Sequence, residues 1–278
     1  MENISTCQNK KDVILANVMY LTYLDSNSWL VEIGRQRILV DPWLVNCLTF
    51  SNLDWLFKGY RTQQHPIPEN LDLILLSQGL EDHAHPPTLK QLHRNIPVVA
   101  SVNAAKVVRQ LGYTNVTAVA HGESFILNSS VEIKAVPGSP IGPALVENGY
   151  LLKELETSLS IYYEPHGYHH PSLKNAASRV DVVITPVVDL TLPLVGPIIK
   201  GRKSALEVAK WLLPQVMLPT AVGKDVKFEG LLTKFLRQQG TVAEFRSSLQ
   251  KHHLTTQVIE PQPGERLELQ LQPQVVAS

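Results

Sequence analysis

The first part of the chain has the pattern of an antiparallel sheet. Three short segments rich in aliphatic, aromatic and β-branched residues predict strands at residues 18–24, 29–33 and 37–41, and polar turn residues separate them. Residues 43–60 carry five aromatic side chains without a regular period. We expect them to form an irregular excursion whose aromatic side chains pack on the core.

From residue 71 onward, apolar runs of strand length alternate with segments of helical period. The predicted strands lie at residues 71–76, 98–101, 116–120, 124–127, 131–136, 159–163, 180–185, 216–219, 255–260 and 265–271. The predicted helices begin at Thr88, span 103–111, end near Ser178, and span 204–213 and 228–239, with loops at 137–143 and 189–201. Antiparallel strands followed by strand–helix alternation predict an α/β (α+β) protein in which two sheets pack face to face with helices outside.

Composition narrows the protein class. The 278 residues are 44% hydrophobic and show no linker-like segment, so we expect one domain at 13–271 between a disordered tail at 1–12 and a loose tail at 272–278. The 25 basic and 25 acidic residues balance, which argues against nucleic acid as a partner. Two cysteines, no signal peptide and no apolar run of membrane-spanning length predict a cytoplasmic protein that does not bind a membrane. Oligomeric state stays open.

The candidate chemistry is concentrated in residues 71–89. A buried apolar strand ends near Gly79, and Glu81, Asp82, His83 and His85 follow within a few residues. Ligands of α/β proteins collect beyond the carboxyl ends of strands, and carboxylates and imidazoles are metal ligands. This loop is therefore the first candidate for a metal site.

Two local patterns resemble the metallo-β-lactamase fold superfamily. One is the pair of strands that ends in Asp41-Pro42, as in the simple metal-dependent hydrolases of that fold. The other is the strand ending at Ser77 followed by the loop in which the family carries H-x-H-x-D-H. The loop Ser-Gln-Gly-Leu-x-Asp-His and the later Tyr-Glu-Pro-His are most similar to a cyanobacterial and plastid-type subgroup. The resemblance covers residues 18–271 and implies a four-layer αββα sandwich.

The family's ligands carry over only in part. In the H-x-H-x-D-H motif, Gln78 and Leu80 replace the first two histidines, while Asp82 and His83 match. The loop at 137–143 lacks the next histidine, and Thr-Ala-Val at 220–222 replaces the last one. The turn that usually holds a bridging aspartate reads Glu164-Pro-His-Gly, so Glu164 and His166 are the ionisable groups there.

The resemblance implies a hydrolase-like protein with an atypical site for at most one divalent ion, namely zinc, iron or manganese. Leucine donates nothing and an amide is a poor zinc ligand, so we do not expect a dinuclear zinc centre. The candidate metal ligands are Asp82, His83, His85, Glu164 and His166, and the candidate catalytic residues are Asp82, Glu81 and Glu164. The substrate would be a small ester, lactone or phosphoester.

The alternative is an inactive member of the fold that binds a small molecule or a partner protein. In that case His83 is simply hydrogen-bonded in its loop, and the histidines near residue 166 form a solvated turn. Convergence of His83, Glu164 and His166 on one point would favour the enzyme, and divergence would favour the binding protein.

Overall fold

A computed structural model describes residues 17–50, 53–142, 144–193, 195–221 and 223–272. Within these residues the strands are β1 (Val18–Tyr23), β2 (Trp29–Ile33), β3 (Gln36–Val40), β4 (Cys47–Thr49), β5 (Lys58–Arg61), β6 (Leu73–Leu76), β7 (Val98–Ala100), β8 (Val116–Ala118), β9 (Ser124–Leu127), β10 (Val131–Ile141), β11 (Leu145–Glu154), β12 (Ser160–Tyr163), β13 (Val182–Thr185), β14 (Asp189–Leu192), β15 (Gly196–Ile199), β16 (Val216–Pro219), β17 (Val226–Glu229), β18 (Arg237–Gln239), β19 (Gln257–Val258) and β20 (Arg266–Gln270). The helices are α1 (Pro86–Gln91), α2 (Val102–Gln110), α3 (Leu173–Ala176), α4 (Arg202–Leu212) and α5 (Val242–Lys251), with a 3₁₀ turn at Leu231–Lys234.

Two seven-stranded sheets form the centre of the fold. The first has the order β20-β1-β2-β3-β6-β7-β8 and is antiparallel up to β3 and parallel beyond it. The second has the order β19-β16-β13-β12-β11-β10-β9, antiparallel from β9 to β12 and parallel from β12 to β19. In the second sheet the change to parallel pairing coincides with a helical crossover, because α3 lies between β12 and β13, whereas in the first sheet the chain passes from β3 to its parallel partner β6 through β4 and β5.

Three apolar clusters define four layers. The largest cluster lies between the sheets and includes Trp29 and Val31 of the first sheet with Ile133 and Ile161 of the second. A second cluster joins the first sheet to α1 and α2, and a third joins the second sheet to α3, α4 and α5. The predicted αββα sandwich is therefore confirmed.

Several predicted elements are wrong. Residues 137–143 and 189–201 were expected to be loops, but β10 continues to Ile141 and pairs with β11, and β14 and β15 form a hairpin. β10 accommodates its prolines because the register shifts between Pro137 and Pro140. Residues 43–60 contain β4 and β5, which form a small sheet with β17.

The helix predicted at 228–239 is also wrong. This segment contains β17, the 3₁₀ turn and β18, and its apolar side chains do not form a buried face, since Leu231 is 43% and Phe235 is 50% exposed. The helix α5 starts later, after Thr241, where a capping box with Glu244 fixes its first turn. The spacing Thr-x-x-Glu was the better start signal in the sequence.

The predicted tail at 1–12 and residues 273–278 of the predicted tail at 272–278 lie outside the described residues, while Gln272 is hydrogen-bonded to Gln215. Among the described helices, none combines the length and the apolar character needed to cross a membrane.

Candidate metal centre

Two turns from different sheets bring together three side chains that could bind a metal ion. Asp82 and His83 lie in the turn that follows β6 of the first sheet, and His166 lies in the turn that follows β12 of the second. Each offers one ligand atom, and these atoms lie within 4.8 Å of one another. The group therefore forms where the ends of the two sheets meet, as expected for a site at strand termini.

His83 is held from both sides by carboxylates. The tight turn places its backbone nitrogen 3.0 Å from the Leu80 carbonyl, and the side chain is fully buried. Its Nδ1 lies 2.7 Å from Asp41 Oδ2, and its Nε2 lies 3.2 Å from Asp82 Oδ2 without hydrogen-bond geometry. A carboxylate on one ring nitrogen orients the other, so Nε2 is the nitrogen that His83 could offer to a metal.

Asp41 is the anchor of this arrangement. It follows β3 with a positive φ of 43°, a conformation that aspartate tolerates, and its side chain is fully buried. The carboxylate accepts hydrogen bonds from the Ser77 backbone nitrogen at 2.7 Å and from the Tyr163 hydroxyl at 2.6 Å. Tyr163 belongs to the second sheet, so both sheets contribute to the position of Asp41 and thereby of His83.

His166 is positioned by the backbone around it. The Lys200 backbone nitrogen donates to the His166 carbonyl at 2.8 Å. Gly167 follows with a φ of +75°, and a Cβ there would lie 1.5 Å from the Lys200 carbonyl oxygen. The His166 ring stands edge-on to His83, with ring centroids 4.9 Å apart. Only glycine therefore allows this turn to pack against Lys200.

The charges of the three candidate ligands are coupled. Burial opposes charge on His83, but Asp82 and Asp41 outweigh it and raise the pKa of His83 to about 10. Burial also opposes ionisation of Asp82, but the neighbouring His83 lowers the pKa of Asp82 to about 2. Burial lowers the pKa of His166 to about 4, and the positive His83 acts in the same direction. Without a bound cation, the site therefore holds one imidazolium between two carboxylates.

Glu164 lies beside this group with one free oxygen. Its Oε2 accepts from the backbone nitrogens of His166 at 3.2 Å and Tyr168 at 2.7 Å, while its Oε1 is buried without a partner among the described residues. Burial raises the pKa of Glu164 to about 8, although these backbone donors oppose the shift. The carboxyl group is therefore largely protonated at neutral pH.

Several buried polar atoms of the candidate site have no hydrogen-bond partner among the described residues. Within the described residues, four of the six buried side-chain atoms that lack a hydrogen bond belong to this site, namely Gln78 Oε1, Asp82 Oδ1, His83 Nε2 and Glu164 Oε1. Buried polar groups are rarely left unpaired, because each costs about 1–3 kcal/mol. Two imidazoles and a carboxylate are a donor set for zinc, iron or manganese. The residues present therefore fit one divalent ion.

Comparison with known proteins identifies the family. Residues 20–221 match the profile of the family described as beta-lactamase superfamily domain. The chain belongs to this family. A metal-dependent hydrolase of the UPF0173 group from Ignicoccus hospitalis is 23% identical over 210 residues, which cover 72% of this chain and 80% of that protein.

Solved structures show the same fold. Igni18, a metallo hydrolase from Ignicoccus hospitalis, has a TM-score of 0.63 at 18% identity, covering 91% of this chain and 98% of its own. The metallo-β-lactamase fold protein YhfI from Bacillus subtilis has a TM-score of 0.58 at 13% identity, covering 90% of this chain and 99% of its own. The metallo-β-lactamase fold predicted from the sequence is confirmed.

Three predicted site residues of this beta-lactamase superfamily member lie outside the three-residue group, namely His85, Glu81 and Glu164. His85 is buried, with Nδ1 2.9 Å from the Thr88 hydroxyl and Nε2 3.3 Å from the Cys47 carbonyl, so both ring nitrogens are engaged elsewhere. Glu81 is half-buried in the turn that contains Asp82 and His83. Glu164 borders the group without belonging to it.

The positions where the superfamily ligands are replaced have other partners. Thr220 is fully buried, accepts from Trp29 Nε1 at 3.0 Å and donates to the Ser26 carbonyl at 2.9 Å. Gln78 is fully buried and lies on His166 and Ser139. These residues stabilise the interior where the resemblance would place metal ligands.

Sequence reasoning missed the residues that support the ligands. Asp41, Ser77 and Tyr163 were given no role, although Asp41 was part of the Asp-Pro pattern that carried the resemblance. An ionisable residue at the end of a buried strand was the available signal for Asp41. Tyr163 lacked such a signal, because its contact with Asp41 depends on how the two sheets pack.

Proposed function

We propose that this protein is a metal-dependent hydrolase whose single divalent ion is held by Asp82, His83 and His166. The observation that carries the proposal is the convergence of these three ligand atoms within 4.8 Å. The family match and the metal-dependent hydrolase from Ignicoccus hospitalis are consistent with it. The small esters, lactones and phosphoesters expected from the sequence are the substrates to test.

One ion suits the available ligands better than two. The only group of three or more metal-binding side chains among the described residues contains Asp82, His83 and His166. Gln78 and Leu80 replace two histidines of the first metal position in the resembling motif. A three-ligand site leaves coordination positions open for water and substrate, which is the arrangement of catalytic rather than structural zinc sites.

When bound, a divalent ion lowers the pKa of a coordinated water and polarises a substrate oxygen. The protein supplies the geometry: Asp41 fixes the ring of His83, and the Lys200–His166 hydrogen bond fixes the turn of His166. Burial raises the pKa of Glu164, and its Oε1 has no hydrogen-bond partner among the described residues, so we assign it the role of proton donor or acceptor. Glu81 stays a second candidate for this role.

A specific observation favours the alternative of a binding protein. His83 lies between Asp41 and Asp82, so its positive charge already offsets one of the two carboxylate charges without an ion. A protein that had lost its metal could keep this imidazolium as a structural ion pair or as the contact for an anionic ligand. Metal content separates the two functions directly.

The test is elemental analysis of protein purified without chelator, followed by reconstitution with zinc, iron or manganese. We expect about one ion per chain in the wild type. His83→Gln and His166→Gln should lose the ion, whereas the control His252→Gln, in which the exposed ring lies 2.9 Å from the Ser248 carbonyl, should keep it. A wild-type protein that takes up none of the three metals would contradict the hydrolase and leave the binding protein.

Activity is then measured on p-nitrophenyl acetate, a simple lactone and bis-p-nitrophenyl phosphate. The same variants should lose turnover in parallel with the ion. Turnover that persists in chelator-treated wild type would contradict the metal-dependent mechanism.

A further inference from the structure

The buried side chain of Gln78 contacts the His166 ring in the same way that Asp41 contacts the His83 ring. Gln78 directly follows Ser77 at the end of β6, and its side chain is fully buried. Its amide nitrogen lies 2.6 Å from His166 Nδ1 and 2.9 Å from Ser139 Oγ. Gln78 therefore occupies Nδ1 of one candidate ligand, as Asp41 occupies Nδ1 of the other.

The contact decides which nitrogen of His166 can bind a metal. Nδ1 is engaged by Gln78 and also lies 3.3 Å from Ser139 Oγ, whereas Nε2 makes no hydrogen bond within the described part of the chain. A ring nitrogen binds a metal only through a free lone pair, and the other nitrogen then carries the proton. His166 must therefore place its proton on Nδ1 in order to bind an ion through Nε2.

In the structure, the Gln78 amide is oriented the other way, because its NH₂ group and not its oxygen faces His166 Nδ1. The NH₂ group of glutamine only donates, so it can face Nδ1 only when Nδ1 is unprotonated and Nε2 carries the proton. This orientation also leaves Gln78 Oε1 buried without a partner. A half-turn of the amide exchanges its oxygen and nitrogen and lets Oε1 accept from Nδ1–H.

Ser139 is compatible with both orientations of the amide. A hydroxyl group both donates and accepts, so Ser139 Oγ can accept from the amide nitrogen or donate to the amide oxygen. The rotation therefore requires no other side chain to lose its hydrogen bond to Gln78. Asp82 Oδ1 of the same buried site is an acceptor that lacks a hydrogen-bond partner among the described residues.

We propose that Gln78 is a positioning residue: its amide oxygen accepts from His166 Nδ1 in the loaded protein and so frees Nε2 for the metal. This inference rests on the proposed metal site and assigns to Gln78 a function other than that of the histidine ligand it replaces. Ion binding and a half-turn of the Gln78 amide are then coupled events.

The test compares Gln78→Met, which keeps an unbranched side chain of similar size, with Gln78→Glu, which keeps an oxygen acceptor. Chelator-treated proteins are titrated with Zn²⁺ by calorimetry. Loss of such a partner should weaken affinity by about 10- to 100-fold in Gln78→Met. Gln78→Glu should bind at least as tightly as the wild type, because a carboxylate accepts from Nδ1–H.

The matched control is Gln215→Met, which removes an amide bound to Asp181 and Gln272. It should leave Zn²⁺ affinity unchanged. Thermal melting in chelator shows whether each variant folds, and Gln78→Glu carries the test if Gln78→Met does not. A wild type without Zn²⁺ binding would defeat the metal site itself, whereas a wild type that binds and a folded Gln78→Met of equal affinity would defeat only the role of Gln78.

A direct readout is the ¹⁵N chemical shift of the His166 ring. In Zn²⁺-loaded wild type we expect the proton on Nδ1 and the metal on Nε2. A spectrum with the metal on Nδ1 would overturn the proposal, as would a tenfold or greater loss of affinity in folded Gln78→Glu.

Discussion

Asp41 Oδ2 lies 2.7 Å from His83 Nδ1, and both side chains are completely buried. The pair joins the end of β3 to the loop after β6. It fixes the orientation of one candidate ligand before any ion arrives.

Asp41→Asn should lower both stability and metal affinity. Asparagine also tolerates the positive φ at this position, so the substitution removes the charge and leaves the turn intact. Removing one partner of a buried ion pair costs about 3–5 kcal/mol, and loss of a carboxylate behind a ligand histidine weakens metal binding about 10- to 100-fold. Urea unfolding and Zn²⁺ titration measure the two effects. Asp54→Asn, which removes only a surface pair with Lys58, should change neither.

Metal binding should release protons. The pKa of His83 is about 10 in the structure without an ion, so the ring is protonated at neutral pH and must lose that proton before Nε2 can bind. Apparent affinity should therefore rise with pH from 6 to 9. Calorimetry in buffers of different ionisation enthalpy counts the protons. Release of no proton at pH 7 would mean that His83 is neutral or is not a ligand.

His85 should make the protein sensitive to acid. The Cys47 carbonyl accepts from Nε2–H and Nδ1 accepts from Thr88, so the neutral ring is satisfied. Burial lowers the pKa of His85 to about 4, below the unfolded value near 6.5. Because the unfolded chain binds the extra proton, this contribution is complete above pH 6.5 and is lost as the pH falls through 4.

The contribution of His85 amounts to about 3 kcal/mol, since each pKa unit is worth about 1.4 kcal/mol. Urea unfolding from pH 7 to 4 should show a smaller acid-induced loss of stability in His85→Gln than in the wild type. The exposed His252→Gln should retain the wild-type slope. Parallel curves for wild type and His85→Gln would be inconsistent with a buried neutral His85.

Gly167→Ala should disturb the centre far more than the same change at Gly142. Both glycines have positive φ, so both substitutions pay a conformational penalty of about 1 kcal/mol. At Gly167 the new Cβ would also meet the Lys200 carbonyl at 1.5 Å, whereas at Gly142 it meets nothing within 4 Å. We expect Gly167→Ala to lower the free energy of unfolding by more than about 3 kcal/mol. It should also weaken metal binding, because the turn that contains His166 must move. Equal melting temperatures for the two variants would contradict this.

The sequence predicted the layers better than the details. Alternation and turn residues define the first three strands locally, and the apolar runs at Leu73–Leu76 and Val182–Thr185 are short enough to favour buried strands. β11 was missed because the prolines of β10 indicate a loop, and only pairing along the whole hairpin makes the bulge at Pro137 acceptable. The apolar residues near Leu231 mimic a helical face although they lie in a short 3₁₀ turn.

The site was predictable only where a local motif exists. Asp82 and His83 stand together in one loop, and a composition rich in carboxylates and imidazoles indicates their chemistry. The distances among Asp82, His83 and His166 depend on how two sheets pack face to face, which local sequence does not specify. His85 shows the reverse case. It lies only two residues from His83 in the sequence, but its ring nitrogens contact Thr88 and Cys47 instead of the candidate metal ligands.

The hydrogen bond from Tyr163 to Asp41 has a consequence for the whole interior. The donor belongs to one sheet and the acceptor follows a strand of the other. Because Asp41 also contacts His83, the position of the His83 ring depends on both sheets. Interiors are close-packed and transmit small displacements. The affinity for an ion would therefore depend on the spacing between the sheets. Substitutions that repack apolar side chains between the sheets would change this affinity even where those side chains never touch the ion.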